Sequence, residues 1–376
     1  MEKLRTAVIG VGKVAHIHAA ALGTIPESQF VAACGRDAEK TRAFAELHGV
    51  RPFTDVAGMV SAGVEAVVVA TPHPAHATVA VPALRAGAHV IVEKPLASSL
   101  ADCDAMIAAA RGAGRTLAMI SQRRLYAPAL RVREAIDAGK LGRPILGTVT
   151  MLGWRDEAYY RADPWRGSWT GEGGGVLVNQ APHQIDILQW YMGEVDELYG
   201  AWANLNHPYV EVEDTSIAVM RFRSGALGNI VVSNSQDPAL FGRVWVHGSN
   251  GASVGVQTDG GAMFVAGMSR ASEPPVNDVW NVPGEEDRLA RWQAEDAAFF
   301  RTIDATQHYH RLQVREFLQS ILESRPPLVT GEEGRKTVEI FTAIYRSQRD
   351  GRPVRFPLQP EAGRDDCDGR LPGRGR

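Results

Sequence analysis

Three groups of residues in this chain have types and spacings that could do chemistry. Glu93-Lys94-Pro95 closes the apolar, strand-like run Ala88-His89-Val90-Ile91-Val92. The turn Gly10-Val11-Gly12-Lys13-Val14-Ala15 follows the strand-like Ala7-Val8-Ile9. A third segment begins at Gly173-Gly174-Gly175 and continues through Asn179, His183 and Asp186. Open parallel sheets bind ligands outside the carboxyl ends of their strands, so a lysine emerging there is placed to meet one. Lysine and histidine are also groups that give and take protons. A glycine turn between strand and helix directs backbone N–H groups and a helix N-terminus at a pyrophosphate. Gly10 and Gly12 provide the tight turn and the close approach, Lys13 and Val14 open the helix, and Ala15 fills the third, packing position. These residues point to a bound dinucleotide.

If the segment after the three glycines is one helix, His183 lies about 40° and Asp186 about −20° from Asn179, and the three share a stripe. Pro182 would cost that helix a hydrogen bond and kink it. The competing reading is a histidine hydrogen-bonded in an interdomain core. The second strand ends in Cys34-Gly35-Arg36-Asp37, with Gly35 where a ribose-binding acid is expected. Arg36 could lie against adenine or pair with a 2′-phosphate, a lean toward NADP, while Asp37 could serve NAD or cap the next helix. Thr71, Pro72 and His73 are expected to form a rim on the nicotinamide side, and His76 could reach the cofactor or cap its own helix.

The elements that must position these groups alternate over residues 5–122. Strand-like runs cover Thr6–Ile9, Phe30–Cys34, Ala66–Ala70, His89–Val92 and Thr116–Ile120, with helical stretches such as Ala38–Leu47 and Leu100–Ala110 between them. This alternation predicts a parallel sheet covered on both faces. Pro128–Ala138 reads as a helix. After Pro144 come Ile145–Leu152, Leu198–Asn204, Ser216–Phe222, Ala226–Ser233, Arg243–His247 and Ala262–Ala266, strands in succession, with a hairpin at Arg223-Ser224-Gly225. They predict an α+β domain with a mainly antiparallel sheet. Residues 267–295 give no clear pattern. Helices are expected over His308–Glu323 and after Thr330, where Thr330 and Glu333 fit a capping box. The predicted division is 1–122, 123–358 and a disordered tail over 359–376.

At 376 residues, 45% hydrophobic and 22% charged, the chain fits two globular domains. A net charge of −3 offers no basic stripe for nucleic acid. Cys34, Cys103 and Cys367 are too few and scattered for a disulfide framework or zinc site. No apolar run reaches membrane-spanning length, and the N-terminus has no signal-like region, so a cytoplasmic protein without a metal is expected.

The turn at 10–15, Glu93-Lys94-Pro95 and the Asn179, His183, Asp186 segment, in this order, resemble the Gfo/Idh/MocA oxidoreductases over roughly residues 5 to 358. The resemblance implies a Rossmann domain plus a domain on a large open sheet whose exposed face mediates homodimers or homotetramers. It implies NAD(P) as cofactor and a sugar, glycoside or cyclitol as substrate, oxidised at a secondary hydroxyl. Lys94 looks like the family lysine that contacts the substrate hydroxyl and nicotinamide, and His183 like its acid/base histidine. Asn179 stands where many members have aspartate, so it can orient His183 without a full charge. Glu93 and Gln122 join the expected cofactor contacts. Arg123 and Tyr126, with Arg124, are expected to enter the interdomain cleft, and Asp186 to bond a substrate hydroxyl or fix the helix. Trp165 and Arg166, in the aromatic loop Tyr159 to Trp169, are expected to cover cofactor and sugar. His308 and Tyr309 are weaker candidates. Two other functions fit the same residues: a non-catalytic dinucleotide sensor, and a sugar–sugar oxidoreductase that never releases its cofactor.

Overall fold

The computed structural model of the chain describes residues 2–240, 242–259 and 273–361. The expected strand Ala262–Ala266 and all of the expected tail beyond residue 361 lie outside them. Of the described residues, those up to Gln122 together with Thr306–Arg335 form one compact unit, and Arg123–Ala305 with the residues from Lys336 onward form another.

The first unit is built on six strands: β1 (Leu4–Ile9), β2 (Ser28–Cys34), β3 (Arg51–Phe53), β4 (Ala66–Val69), β5 (His89–Val92) and β6 (Leu117–Met119). All pair in parallel, in the order β3-β2-β1-β4-β5-β6. This is the order of a dinucleotide-binding sheet. The strands expected from alternation are present; β3 escaped notice because three residues, one of them Pro52, carry no periodicity. A single boundary at residue 122 differs from the observed division, because the helix Ala305–Leu322 buries Val314, Phe317 and Leu318 in the same core as Val8, Val68 and Ile91. Its Gln313 amide acts like a neighbouring peptide for the edge strand β6. It donates to Met119 O at 2.9 Å and accepts from Ser121 N at 2.8 Å. Met119 N bonds Val329 O, so the edge of the sheet is covered rather than open.

The second unit carries β7 (Pro144–Leu152), β8 (Val195–Ala203), β9 (Thr215–Phe222), β10 (Leu227–Ser233), β11 (Gly242–Gly248), β12 (Ser253–Asp259), β13 (Trp280–Asn281) and β14 (Val354–Arg355). They form one sheet, β13-β12-β11-β7-β10-β9-β8-β14, antiparallel throughout except for the parallel pair β7–β10. One face alternates into the core, as in β9, where Ser216, Ala218, Met220 and Phe222 are buried and Ile217 and Val219 are exposed. That same core-side face packs against the helix Pro182–Met192, whose Leu188 and Met192 fill the space above Gly147. The β9–β10 hairpin turns at Gly225, with φ +85°. The unpatterned stretch resolves, from residue 273 on, into β13 and a helix Arg288–Phe300.

Candidate functional site

The carboxyl edge of the first sheet is shaped by the glycine turn. Gly10 sits at φ +106°, and a Cβ there would approach Ala70 O to 2.5 Å, so only glycine lets β1 turn against the end of β4. Gly12 differs: it has ordinary φ, it is the N-cap of the helix Lys13–Thr24, and a Cβ on it would meet nothing within 4 Å. No side chain caps this helix and its first turn holds no acid. A helix N-terminus without a capping side chain or an acid attracts an anion, and the space at Gly12 accommodates one. These residues fit a dinucleotide pyrophosphate.

At the end of β2, a Cβ on Gly35 would lie 2.5 Å from Thr41 Oγ1 and 3.2 Å from Val11, so a side chain there would require these neighbours to shift. Asp37 resolves to its capping role: its Oδ1 accepts from Glu39 N at 3.0 Å and Lys40 N at 3.1 Å. Arg36 is exposed beside it.

Glu93, Lys94 and a cis Lys94–Pro95 peptide follow β5. Glu93 is buried with Oε1 2.7 Å from His18 Nε2 and 3.8 Å from His310 Nε2, while Oε2 accepts from Lys94 N at 3.1 Å. Burial pushes its carboxyl up, but the His18 hydrogen bond and the charges of His18, His310 and Lys94 outweigh that and hold it down at about 2. A fixed negative charge therefore backs the lysine. Burial conversely drops His310 to about 4. Of the expected contacts here, His76 is placed otherwise. It is fully buried, with Nδ1 3.0 Å from Pro95 O and Nε2 3.0 Å from Thr71 O, and ties the end of β4 to the end of β5. His73 is buried against its ring, and Thr71 and Pro72 lead into this corner. His308 and Tyr309 belong to the returning helix, but the residue that meets Glu93 is His310, one position on.

In the second unit the expected single helix after the glycines is two. Val176–Asn179 ends at Gln180, and Pro182 opens Pro182–Met192 at a position where its missing N–H costs nothing, instead of kinking a continuous helix. The shared stripe dissolves accordingly. Asn179 Nδ2 donates to the buried Glu172 carboxylate and to Tyr159 Oη. Asp186, expected to bond a substrate hydroxyl or to fix the helix, takes Arg124 Nε at 2.8 Å and Nη2 at 2.6 Å in a bidentate pair with both side chains almost wholly buried. His183 is buried at the start of the second helix. Tyr159 Oη also accepts from Arg166 Nη1 and, at 3.0 Å, from Gln180 Nε2. Arg166 stacks over Tyr159 and Trp165, with its charge also met by Asp163 at 3.2 Å. Arg123 Nη1 reaches Thr258 Oγ1 at 3.4 Å, and Gln122 and Tyr126 are buried.

Glu213, Glu172, His18 and His310 are the participants that the sequence reading missed. Glu213 is fully buried; Oε2 accepts from Gly175 N at 2.8 Å, and Oε1 accepts from Leu177 N at 3.0 Å and Tyr345 Oη at 2.9 Å. The three glycines were its one available signal, since such a run says that something lies hard against the backbone. Among the described residues no group of three or more His, Cys, Asp or Glu could hold a metal, and no helix is long and apolar enough to cross a membrane.

Comparison with known proteins agrees with this geometry. Residues 4–121 match the oxidoreductase family with an NAD-binding Rossmann fold, and residues 129–254 match the GFO/IDH/MocA C-terminal domain. The WlbA dehydrogenase of Bordetella pertussis, solved with NADH and UDP-GlcNAcA, superposes with a TM-score of 0.82 at 30% identity over 95% of this chain and 99% of its own. Myo-inositol 2-dehydrogenase of Thermotoga maritima is 27% identical over 94% of this chain and 98% of its own. D-apiose dehydrogenase of Paraburkholderia graminis is 27% identical over 96% and 92%. The chain belongs to the GFO/IDH/MocA family of NAD-binding oxidoreductases.

Proposed function

We propose that the chain is an NAD(P)-dependent dehydrogenase that oxidises a secondary hydroxyl of a sugar, glycoside or cyclitol to a ketone, or runs the reverse. One observation carries this reading. The glycine turn after β1, the Ala70–Thr71 peptide after β4 and Lys94 after β5 all emerge at the carboxyl edge of one parallel sheet. The inositol, apiose and nucleotide-sugar relatives support the substrate class.

Gly10, Gly12, Lys13 and Val14 would hold the pyrophosphate, with Arg36 at the adenosine end. When bound, the cofactor accepts or donates the hydride. His183 takes the hydroxyl proton in oxidation, and Lys94, backed by Glu93, is the second candidate proton-handling group; in reduction one of them returns the proton. Asn179, fixed by Glu172 and Tyr159, orients the site without adding a charge. Arg36, beside a glycine where a ribose-binding acid would stand and an Asp37 engaged as a cap, supports a lean toward NADP. Exposed Tyr199, Val219 and Ile217, neighbours by strand register, suit a homodimer or homotetramer formed through the open sheet face.

The test is absorbance at the nicotinamide band with NAD and NADP against a panel of cyclitols, free pyranosides and nucleotide-linked sugars. A change with at least one substrate is expected. Tight dinucleotide binding without turnover on any would replace this reading with a sensor.

A further inference from the structure

We propose that Glu213 is a positioning residue for His183. Its carboxylate and its own carbonyl clamp the Gly173–Gly175 turn from which the His183 segment departs, and turnover depends on that clamp. The proposal rests on the reading of His183 as the proton-handling group.

Four bonds make the clamp. The carboxylate accepts from Gly175 N, Leu177 N and Tyr345 Oη, and Glu213 O accepts from Val176 N at 3.0 Å. The glycines are the counterpart of this grip. Gly173 and Gly174 take φ of +86° and +147°. A Cβ on Gly174 would strike the Tyr345 hydroxyl, and one on Gly175 the Glu213 carbonyl. The turn can approach Glu213 this closely only because it has no side chains. From there the chain runs through Val176–Asn179 directly into Pro182–Met192, so a shift of the turn is passed to Asn179 and His183.

Among the described residues no cation contacts Glu213: its side-chain partners are two peptide N–H groups and a phenol. The neighbouring charges are engaged elsewhere, Asp214 with His207 and Glu172 with Gly167 N and Asn179. Burial therefore pushes the Glu213 carboxyl up, against its hydrogen bonds, to about 7. Ionised, its two oxygens serve all three donors. Protonated, it presents its own O–H hydrogen to one of them, and the clamp loosens.

The experiment compares wild type, Glu213→Gln, Tyr345→Phe and His183→Ala for kcat, KM, dinucleotide affinity and the pH profile of kcat from about 5.5 to 9, with circular dichroism as the folding control. Glu213→Gln is expected to lower kcat roughly 10- to 100-fold with KM and dinucleotide affinity nearly unchanged, as displacement of a reacting group by an ångström does. The part of the fall in kcat near pH 7 that Glu213 contributes should vanish in Glu213→Gln, leaving only the limb set by protonation of His183. The Glu213 part should move to higher pH in Tyr345→Phe, which removes a donor to the carboxylate. A merely structural role would move neither inflection. If Glu213→Gln does not fold, Tyr345→Phe decides alone, and an unshifted profile there overturns the proposal. Wild-type profiles in both variants with an inactive His183→Ala overturn the clamp only. An active His183→Ala overturns the reading of the site on which it rests.

Discussion

Replacing Asp186 separates a substrate contact from an internal brace. Both of its oxygens are taken by the Arg124 guanidinium at 2.6 and 2.8 Å, Thr337 Oγ1 lies 3.4 Å from Oδ1, and the paired side chains are 2% and 1% exposed. Asp186→Ala strands a buried guanidinium, and breaking such a pair costs about 3–5 kcal/mol. For a unit of this size each kcal/mol moves Tm by about 2–4 °C, so the expected loss is roughly 6–20 °C. The double replacement Arg124→Met with Asp186→Leu removes both charges and should recover most of it, because an apolar pair of similar volume needs no desolvation. Scanning fluorimetry and urea unfolding read both effects. A Tm for Asp186→Ala within about 2 °C of wild type, together with a raised KM for the sugar, would refute the brace and restore Asp186 to the substrate.

Other outcomes follow from the same geometry. Gly12→Ala should leave Tm unchanged yet weaken dinucleotide binding at least tenfold in a fluorescence titration, because its Cβ enters open space at the helix N-terminus; Gly10→Ala should destabilise the fold itself, at φ +106° against Ala70 O. Asp37→Ala should cost about 1 kcal/mol by urea unfolding, the worth of an N-cap, with NAD affinity intact. Glu93 has a folded value near 2 against 4.5 for the free group, so its contribution is complete above 4.5 and lost as pH falls toward 2, roughly 3 kcal/mol in all. Glu93→Gln should therefore flatten the acid limb of a stability-against-pH curve, and an unchanged limb would contradict an ionised Glu93.

The first unit was legible because parallel strands announce themselves as short apolar runs with turn chemistry between them, and because a glycine turn and a strand-end lysine lie close to those runs in sequence. Less of the second site was legible. Its helix counting failed at Pro182, which starts a helix instead of interrupting one, so Asn179, His183 and Asp186 could not share a face. Local sequence leaves His76 between reaching the cofactor and capping its own helix, yet both ring nitrogens face backbone carbonyls of strand ends far apart in sequence. Glu213 reaches its glycines across 38 positions, and Glu93 meets His310 from a helix that returns to the first unit late in the chain. Such pairings are set by topology, and local pattern does not encode them.

The central claim is that Lys94 and His183 handle the proton of the reaction. It is tested most directly by single-turnover absorbance at the nicotinamide band in Lys94→Ala and His183→Ala, each saturated with cofactor and the best substrate of the panel. The account predicts that each variant binds the dinucleotide with near wild-type affinity but reacts at least about 100-fold more slowly, the scale of a lost general acid or base. A near wild-type rate in either variant would contradict it.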